Sequence, residues 1–306
     1  MNNPDLSVTI AGVNFKNPVI AASGTFGYAR EYQGLVNVSC LGGICTKGLT
    51  LESRKGNNGV RLHETPSGLM NSIGLENPGI SAFIEKELPY LKSLSTVIIA
   101  NLSGSDIETY TEGAKLLNDS SIDMIELNIS CPNVKAGGMA FGLDPVSAHE
   151  VVKSVRSVST HKPLIVKLSP NAPDLTAVSL SCVNAGADAL SLVNTFKAVA
   201  IDIHKRKTIF DNISAGLSGP AIRPIALRMV WELWEKVNVP IIGMGGIAST
   251  NDALEFLLAG AVAVQIGSAT FSHPPLMNEV ILGIENYMKQ NNFSCIEELP
   301  IRKIKK

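Results

Sequence analysis

Eight short apolar runs, rich in valine, isoleucine and leucine, recur along the chain with helix-like stretches between them. They are Pro18–Gly24, Gly42–Gly48, Thr96–Leu102, Met124–Ser130, Leu164–Ser169, Ala189–Thr195, Pro240–Gly246 and Ala263–Ser268. A run that is apolar throughout, rather than alternating, suits a strand covered on both faces, as in a parallel sheet. The intervening stretches Asp106–Leu117, Val146–Ser157, Leu175–Ala185, Pro224–Lys236 and Asn251–Leu258 read as helices. Asp106 and Asn251 are candidate N-caps, and Gly186 and Gly260 stand where helices stop. Eight strand–helix units in about 250 residues predict an α/β fold of the (β/α)8 TIM-barrel type. A doubly wound sheet is the rival, but it seldom needs eight regular units. Leu6–Phe15 alternates and turns at Ala11-Gly12, which predicts a small N-terminal hairpin capping the barrel bottom. No linker or longer repeat interrupts residues 1–306, so a single domain is expected.

Composition removes several classes of function. A net charge of -1 gives no electrostatic footprint for nucleic acid or an anionic membrane. The Lys205-Arg206-Lys207 triplet and the basic end Ile301–Lys306 therefore read as solvated segments, the triplet as the turn of a hairpin. No apolar run reaches membrane-spanning length, and the first residues lack a signal-peptide pattern, so a cytoplasmic protein is expected. Five cysteines, Cys40, Cys45, Cys131, Cys182 and Cys295, are irregularly spaced and include no C-x-x-C pair. This argues against a disulfide framework, and against a zinc or iron–sulfur site within the chain.

In a barrel, chemistry gathers at the C-terminal ends of the strands. Read in order, those ends carry Ser23, Lys47, Asn101, Asn128 with Cys131, Lys167, Asn194-Thr195, Gly245-Gly246 and Gly267-Ser268. Gly243, Gly245 and Ala248 match a dinucleotide-binding fingerprint, but the next strand lacks the acidic residue that such a site needs. The two glycine-bearing ends instead suit a phosphate site after strands seven and eight, belonging to a phosphorylated substrate or to FMN. Tight turns are the bland alternative. Lys167 interrupts an apolar strand, and a buried ammonium requires a negative partner. A reduced flavin would supply one; a Schiff base and a snorkelling lysine are the other uses. The same three readings apply to Lys47. Cys131 closes a strand, precedes Pro132 and opens a loop with Gly137-Gly138. With no histidine nearby in sequence, it fits a general base better than an acyl-transfer nucleophile.

Four motifs carry a resemblance: E-L-N-I-S-C-P-N (Glu126–Asn133), L-M-N-S-I-G-L-E-N-P-G (Leu69–Gly79), G-L-S-G-P-A-I-R-P (Gly216–Pro224) and I-I-G-M-G-G-I (Ile241–Ile247). In this order they resemble the dihydroorotate dehydrogenases, and the loop after Cys131 looks like the NAD-linked branch, class 1B. The resemblance implies an FMN enzyme of pyrimidine biosynthesis in which Cys131 is the base. It implies substrate contacts from Lys47, Asn71, Ser72, Asn128, Asn133, Asn194 and Thr195, with the amides of Ile73, Gly74 and Leu75 on the substrate carboxylate. It further implies FMN contacts from Ser23, Lys47, Gly48, Asn101, Asn128, Lys167 and Val193, and phosphate contacts from Gly219, Gly245, Gly246, Gly267 and Ser268. The partner it implies is a subunit carrying FAD and a [2Fe–2S] cluster, joined to a homodimer core in a heterotetramer. Ala198 and Ala215 stand where the resemblance leads one to expect glycine. Fumarate-linked and dihydropyrimidine dehydrogenases are rival redox readings, and a barrel lyase or isomerase acting through Lys167 is the rival from another class.

Overall fold

The computed structural model describes residues 3–130 and 141–301. All eight apolar runs become the strands of one closed parallel barrel. They are β1 (Val19–Ala21), β2 (Gly43–Cys45), β3 (Val97–Leu102), β4 (Met124–Asn128), β5 (Leu164–Lys167), β6 (Ala189–Leu192), β7 (Ile241–Met244) and β8 (Ala263–Ile266). Each strand pairs with its sequence neighbours, and β8 closes on β1 through Val264↔Val19. Every residue of β4, β5, β6, β7 and β8 is buried, as an uninterrupted apolar run requires.

Among the described residues six longer helices surround the barrel: α1 (Ile107–Asn118), α2 (Pro145–Val158), α3 (Leu175–Asn184), α4 (Arg223–Leu233), α5 (Thr250–Leu258) and α6 (Leu276–Gln290). Local chemistry sets their starts. Asp106 and Thr109 form a reciprocal capping box on α1. Asp144 and Asp174 accept from the third amides of α2 and α3. The cap of α5 is Ser249 rather than Asn251: Ser249 is extended, and its Oγ accepts from the Asp252 amide. Asn251 falls in the first turn. Gly186 (φ 104°) and Gly260 (φ 112°) follow α3 and α5 in the left-handed region that favours glycine at helix ends.

The N-terminal hairpin forms as expected, Val8–Ile10 against Val13–Phe15, turning at Ala11-Gly12. Its buried Phe15 ring lies where a side chain at Gly43 would go, and Gly43 opens β2 at the N-terminal end of the barrel. The hairpin thus closes the bottom.

A second sheet lies at the C-terminal ends of the barrel strands, built from the two long connections, residues 49–95 and 196–219. Leu62–Thr65, Gly68–Asn71, Ser214–Ser218 and Phe196–Val199 form an antiparallel four-stranded sheet. Met70, Phe210 and Ala215 give it a small core of its own. Ala198 pairs with Ala215 across ordinary antiparallel backbone, where a methyl group packs without strain. Beyond it, Ile201–Asp202 pairs with Lys207–Thr208. Lys207 therefore belongs to a strand and not to the turn, while Lys205 ion-pairs with Asp202 at 3.4 Å. Among the described residues no helix is long and apolar enough to cross a membrane.

Candidate active site

A cavity of about 250 Å³ opens between the C-terminal ends of the barrel strands and the four-stranded sheet. It gathers Ser23, Lys47, Gly48, Asn128, Lys167, Val193, Asn194 and Thr195 from the barrel ends. Asn71, which ends a strand of that sheet, and Ile73, Gly74 and Leu75 of the loop after it join them. Gly219, Gly245, Gly246, Gly267 and Ser268 line another part of the same cavity. Two expected residues stand behind the lining. Asn101 is fully buried beneath Gly48, and Ser72 is buried with its hydroxyl accepting from Asn57 and Asn212. Cys131 and Asn133 lie outside the described residues.

The glycine quarter is built for close approach by backbone. Gly219, Gly245 and Gly246 have φ of 100°, 123° and 75°. A Cβ on Gly246 would lie 2.7 Å from the Gly219 carbonyl oxygen, and one on Gly245 2.8 Å from Cβ of Ala226. None of the amide N–H groups of Gly219, Gly245, Gly246, Gly267 and Ser268 donates to another described residue. Five such donors lining one cavity fit a phosphate group. Arg223 braces this corner through Asp252 at 2.6 Å and Glu255 at 2.5 Å.

The loop after the sheet has the same character. Gly74 (φ 77°) and Leu75 (φ 58°) are successive left-handed residues, an arrangement that costs energy for leucine. The amides of Ile73, Gly74 and Leu75 donate to no other described residue. The loop is held from behind: the Asn57 amide donates to the Ile73 carbonyl, and Asn77 Nδ2 to the Leu75 carbonyl. Three free donors on a braced turn fit a carboxylate.

The floor contains a residue to which the sequence reading assigns no role. Glu126 of β4 is fully buried in the bore. Its Oε1 accepts from Asn101 Nδ2 (2.7 Å) and Cys45 Sγ (3.2 Å), and its Oε2 from Gln265 Nε2 (2.7 Å) and Ser191 Oγ (2.8 Å). Lys167 Nζ stands 3.9 Å away. Burial pushes the Glu126 carboxyl up, but the Lys167 charge and the donated hydrogen bonds outweigh it and leave the group below the usual carboxylate range. Burial first, then the Glu126 charge, pushes the Cys45 thiol well up, so Cys45 stays protonated and donates. The strand period exposes the signal that betrays Glu126: it lies two residues before Asn128 and so points to the same side.

An amide relay climbs from this floor. Because an ionised carboxylate only accepts, Asn101 must turn its NH2 to Glu126 and its oxygen to Asn128 Nδ2 (3.3 Å). Asn128 Oδ1 then accepts from Ser130 Oγ (3.0 Å), and Ser130 Oγ takes Asn194 Nδ2 at 2.8 Å. Asn194 Oδ1 receives the Thr195 amide at 2.8 Å. Each side chain is fixed in one orientation by the one beneath it. The cavity thus combines a phosphate cradle, a carboxylate turn, two lysines and an oriented polar floor, which suits a phosphate-bearing ring cofactor beside a small acid.

The model of the dihydroorotate dehydrogenase family matches residues 5–288. The chain belongs to the dihydroorotate dehydrogenase family. It is 61% identical over 295 residues to a protein of Petrotoga mobilis, covering 96% of this chain and 98% of that one. A Caldicellulosiruptor bescii protein is 54% identical with the same coverage, and one from Geotalea daltonii is 52% identical over 300 residues, 98% of each chain. All three are described as the catalytic subunit of dihydroorotate dehydrogenase B (NAD(+)). Family membership agrees with the site's position at the mouth of a parallel barrel. Among the described residues no group of three or more His, Cys, Asp or Glu is arranged to hold a metal.

Proposed function

We propose that this chain is the catalytic subunit of an NAD-linked dihydroorotate dehydrogenase, which oxidises dihydroorotate to orotate in pyrimidine biosynthesis. The observation that carries the reading is the pairing, in one cavity, of a carboxylate turn at Ile73–Leu75 with an oriented amide wall at Asn128 and Asn194. FMN suits the remainder, with its phosphate on the amides of Gly219, Gly245, Gly246, Gly267 and Ser268. Ser23, Lys47, Gly48, Val193 and Lys167 would hold the rest of it, with Asn101 acting from beneath. Bound there, FMN supplies the hydride acceptor. Residues 1–306 are read as one domain.

The chain's own groups do the rest. Amides of Ile73, Gly74 and Leu75 bind the carboxylate of dihydroorotate, and Ser72 holds that turn in place. Lys47, Asn71, Asn128, Asn133, Asn194 and Thr195 orient the ring by hydrogen bonds, the relay fixing the direction of those from Asn128 and Asn194. Cys131, as thiolate, takes the proton from C5 while hydride leaves C6, and the C5=C6 double bond of orotate forms. A thiol with an ordinary pKa of about 8.5 needs only modest help to act near neutral pH. Lys167 favours negative charge at the acceptor's edge. Its place 3.9 Å from the buried Glu126 carboxylate favours an electrostatic role over the lyase reading.

Electrons would leave through a separate subunit carrying FAD and a [2Fe–2S] cluster, on a homodimer core within a heterotetramer, in the cytoplasm. Turnover of dihydroorotate tests the reading, with NAD and fumarate compared as acceptors and the partner present or absent. The expected result is NAD reduction only with the partner, and dye reduction without it. Cys131→Ala should keep its flavin and lose at least about a hundredfold in rate at neutral pH, the ordinary contribution of a general base. Full activity in that variant would remove Cys131 from the mechanism.

A further inference from the structure

A carboxylate offers about four lone-pair positions. In Glu126 all four are taken by uncharged donors, two on each oxygen: Cys45 and Asn101 on Oε1, Ser191 and Gln265 on Oε2. Nothing is left for Lys167, the one cation in reach among the described residues. Lys167 Nζ sits at 3.9 Å, outside the 2.7–2.9 Å of a charge-assisted hydrogen bond, and donates to no other described residue. Lys167 nonetheless lines the cavity and is almost wholly buried. Gln265, committed to Glu126 through its NH2, is left with an amide oxygen that is buried and has no partner among the described residues. Gln265 also lines the cavity.

We propose that Glu126 is a positioning residue: saturated by four neutral donors, it balances the charge of Lys167 without capturing it, and so reserves the ammonium's protons for the group bound at the barrel mouth. The neutral donors are the means. Were Glu126 less well supplied, Lys167 would close the gap and turn its protons down into the bore. The same saturation leaves the Gln265 oxygen without a partner among the described residues. The floor therefore presents a charged donor to the ligand, which fits the C=O edge of a ring. The inference rests on the FMN reading given above, and it assigns Glu126 and its donors the role of setting how readily that flavin is reduced.

The test uses the full-length chain with FMN bound, equilibrated with a reference dye, reading the ratio of oxidised to reduced flavin by absorbance. Ser191→Ala removes one donor from Glu126 without touching the cavity lining. The freed oxygen should draw Lys167 down and raise the oxidised-to-reduced ratio two- to threefold at a fixed dye potential. Glu126→Gln removes the balancing charge. A buried ammonium without a partner gives up its proton, and the ratio should rise about tenfold, or about 30 mV for a two-electron couple. A purely architectural role would lower thermal stability in both variants and leave the ratio unmoved. Ratios equal to wild type, or shifted toward reduced flavin, overturn the inference. If Glu126→Gln does not accumulate folded, Ser191→Ala decides alone. A wild-type chain that binds no FMN overturns the flavin reading and this inference with it; flavin-loaded variants of unchanged ratio overturn the inference only.

Discussion

At the scale of single residues, the account turns on Glu126 and Lys167, charges buried at 0% and 5% exposure. Each is tolerable only because of the other and of the donors around them. The Glu126 carboxyl is held below its ordinary 4.5 in the folded chain. Its contribution to stability is therefore present above about that pH, and it is lost as pH falls through the lower folded value. Glu126→Gln should cost about 3 kcal/mol at pH 7 and should flatten the acid limb of a melting-temperature profile. An unchanged profile would contradict the ion pair. The cysteines offer a second check. Cys45 and Cys182 are buried, with the Cys182 thiol pushed up to about 12 by burial, whereas Cys40 and Cys295 are partly exposed. At pH 8 the last two should react with a thiol reagent in the native state, and Cys45 and Cys182 only after unfolding. The role of Lys167 was half legible in the sequence, since a lysine in an apolar strand demands an anion. That the anion is Glu126 follows only once β4 and β5 are in register, Asn128 opposite Lys167.

At the scale of elements, the barrel strands were readable because a parallel strand buried on both faces leaves a run of apolar residues in the sequence. Helix starts were readable where an aspartate precedes the first turn, as at Asp106. The four-stranded sheet was not. Its strands Gly68–Asn71 and Ser214–Ser218 bury only part of their length and pair across some 150 positions, so neither composition nor period marks them. That sheet carries the carboxylate turn, which is why the turn was legible only through the family motif. The glycine elements were legible as glycines, yet their purpose depends on φ and on what stands behind them. Gly246→Ala places a methyl 2.7 Å from the Gly219 carbonyl oxygen at φ 75°. It should weaken FMN binding by about 1–3 kcal/mol, which is roughly 5- to 150-fold in Kd, read by flavin fluorescence. Gly12→Ala, in the bottom hairpin with open space around it, should leave FMN affinity unchanged.

At the scale of the whole molecule, the barrel sorts its tasks by end. The bottom is sealed by the hairpin and Phe15, and the mouth is roofed by the second sheet, so a ligand meets polar groups on the floor and backbone amides on the walls. The cavity at the mouth suits one phosphate-bearing ring cofactor, proposed above to be FMN. The relatives' description as catalytic subunits implies a separate partner subunit, and under the proposed function that partner takes the later electron transfers. The most direct test is to mix the purified yellow chain with dihydroorotate in the absence of oxygen and of any partner. The account predicts that the flavin band bleaches within the time of one turnover, with one orotate formed per flavin, and that the colour returns when a dye is added. A flavin band that stays intact in excess dihydroorotate would contradict it.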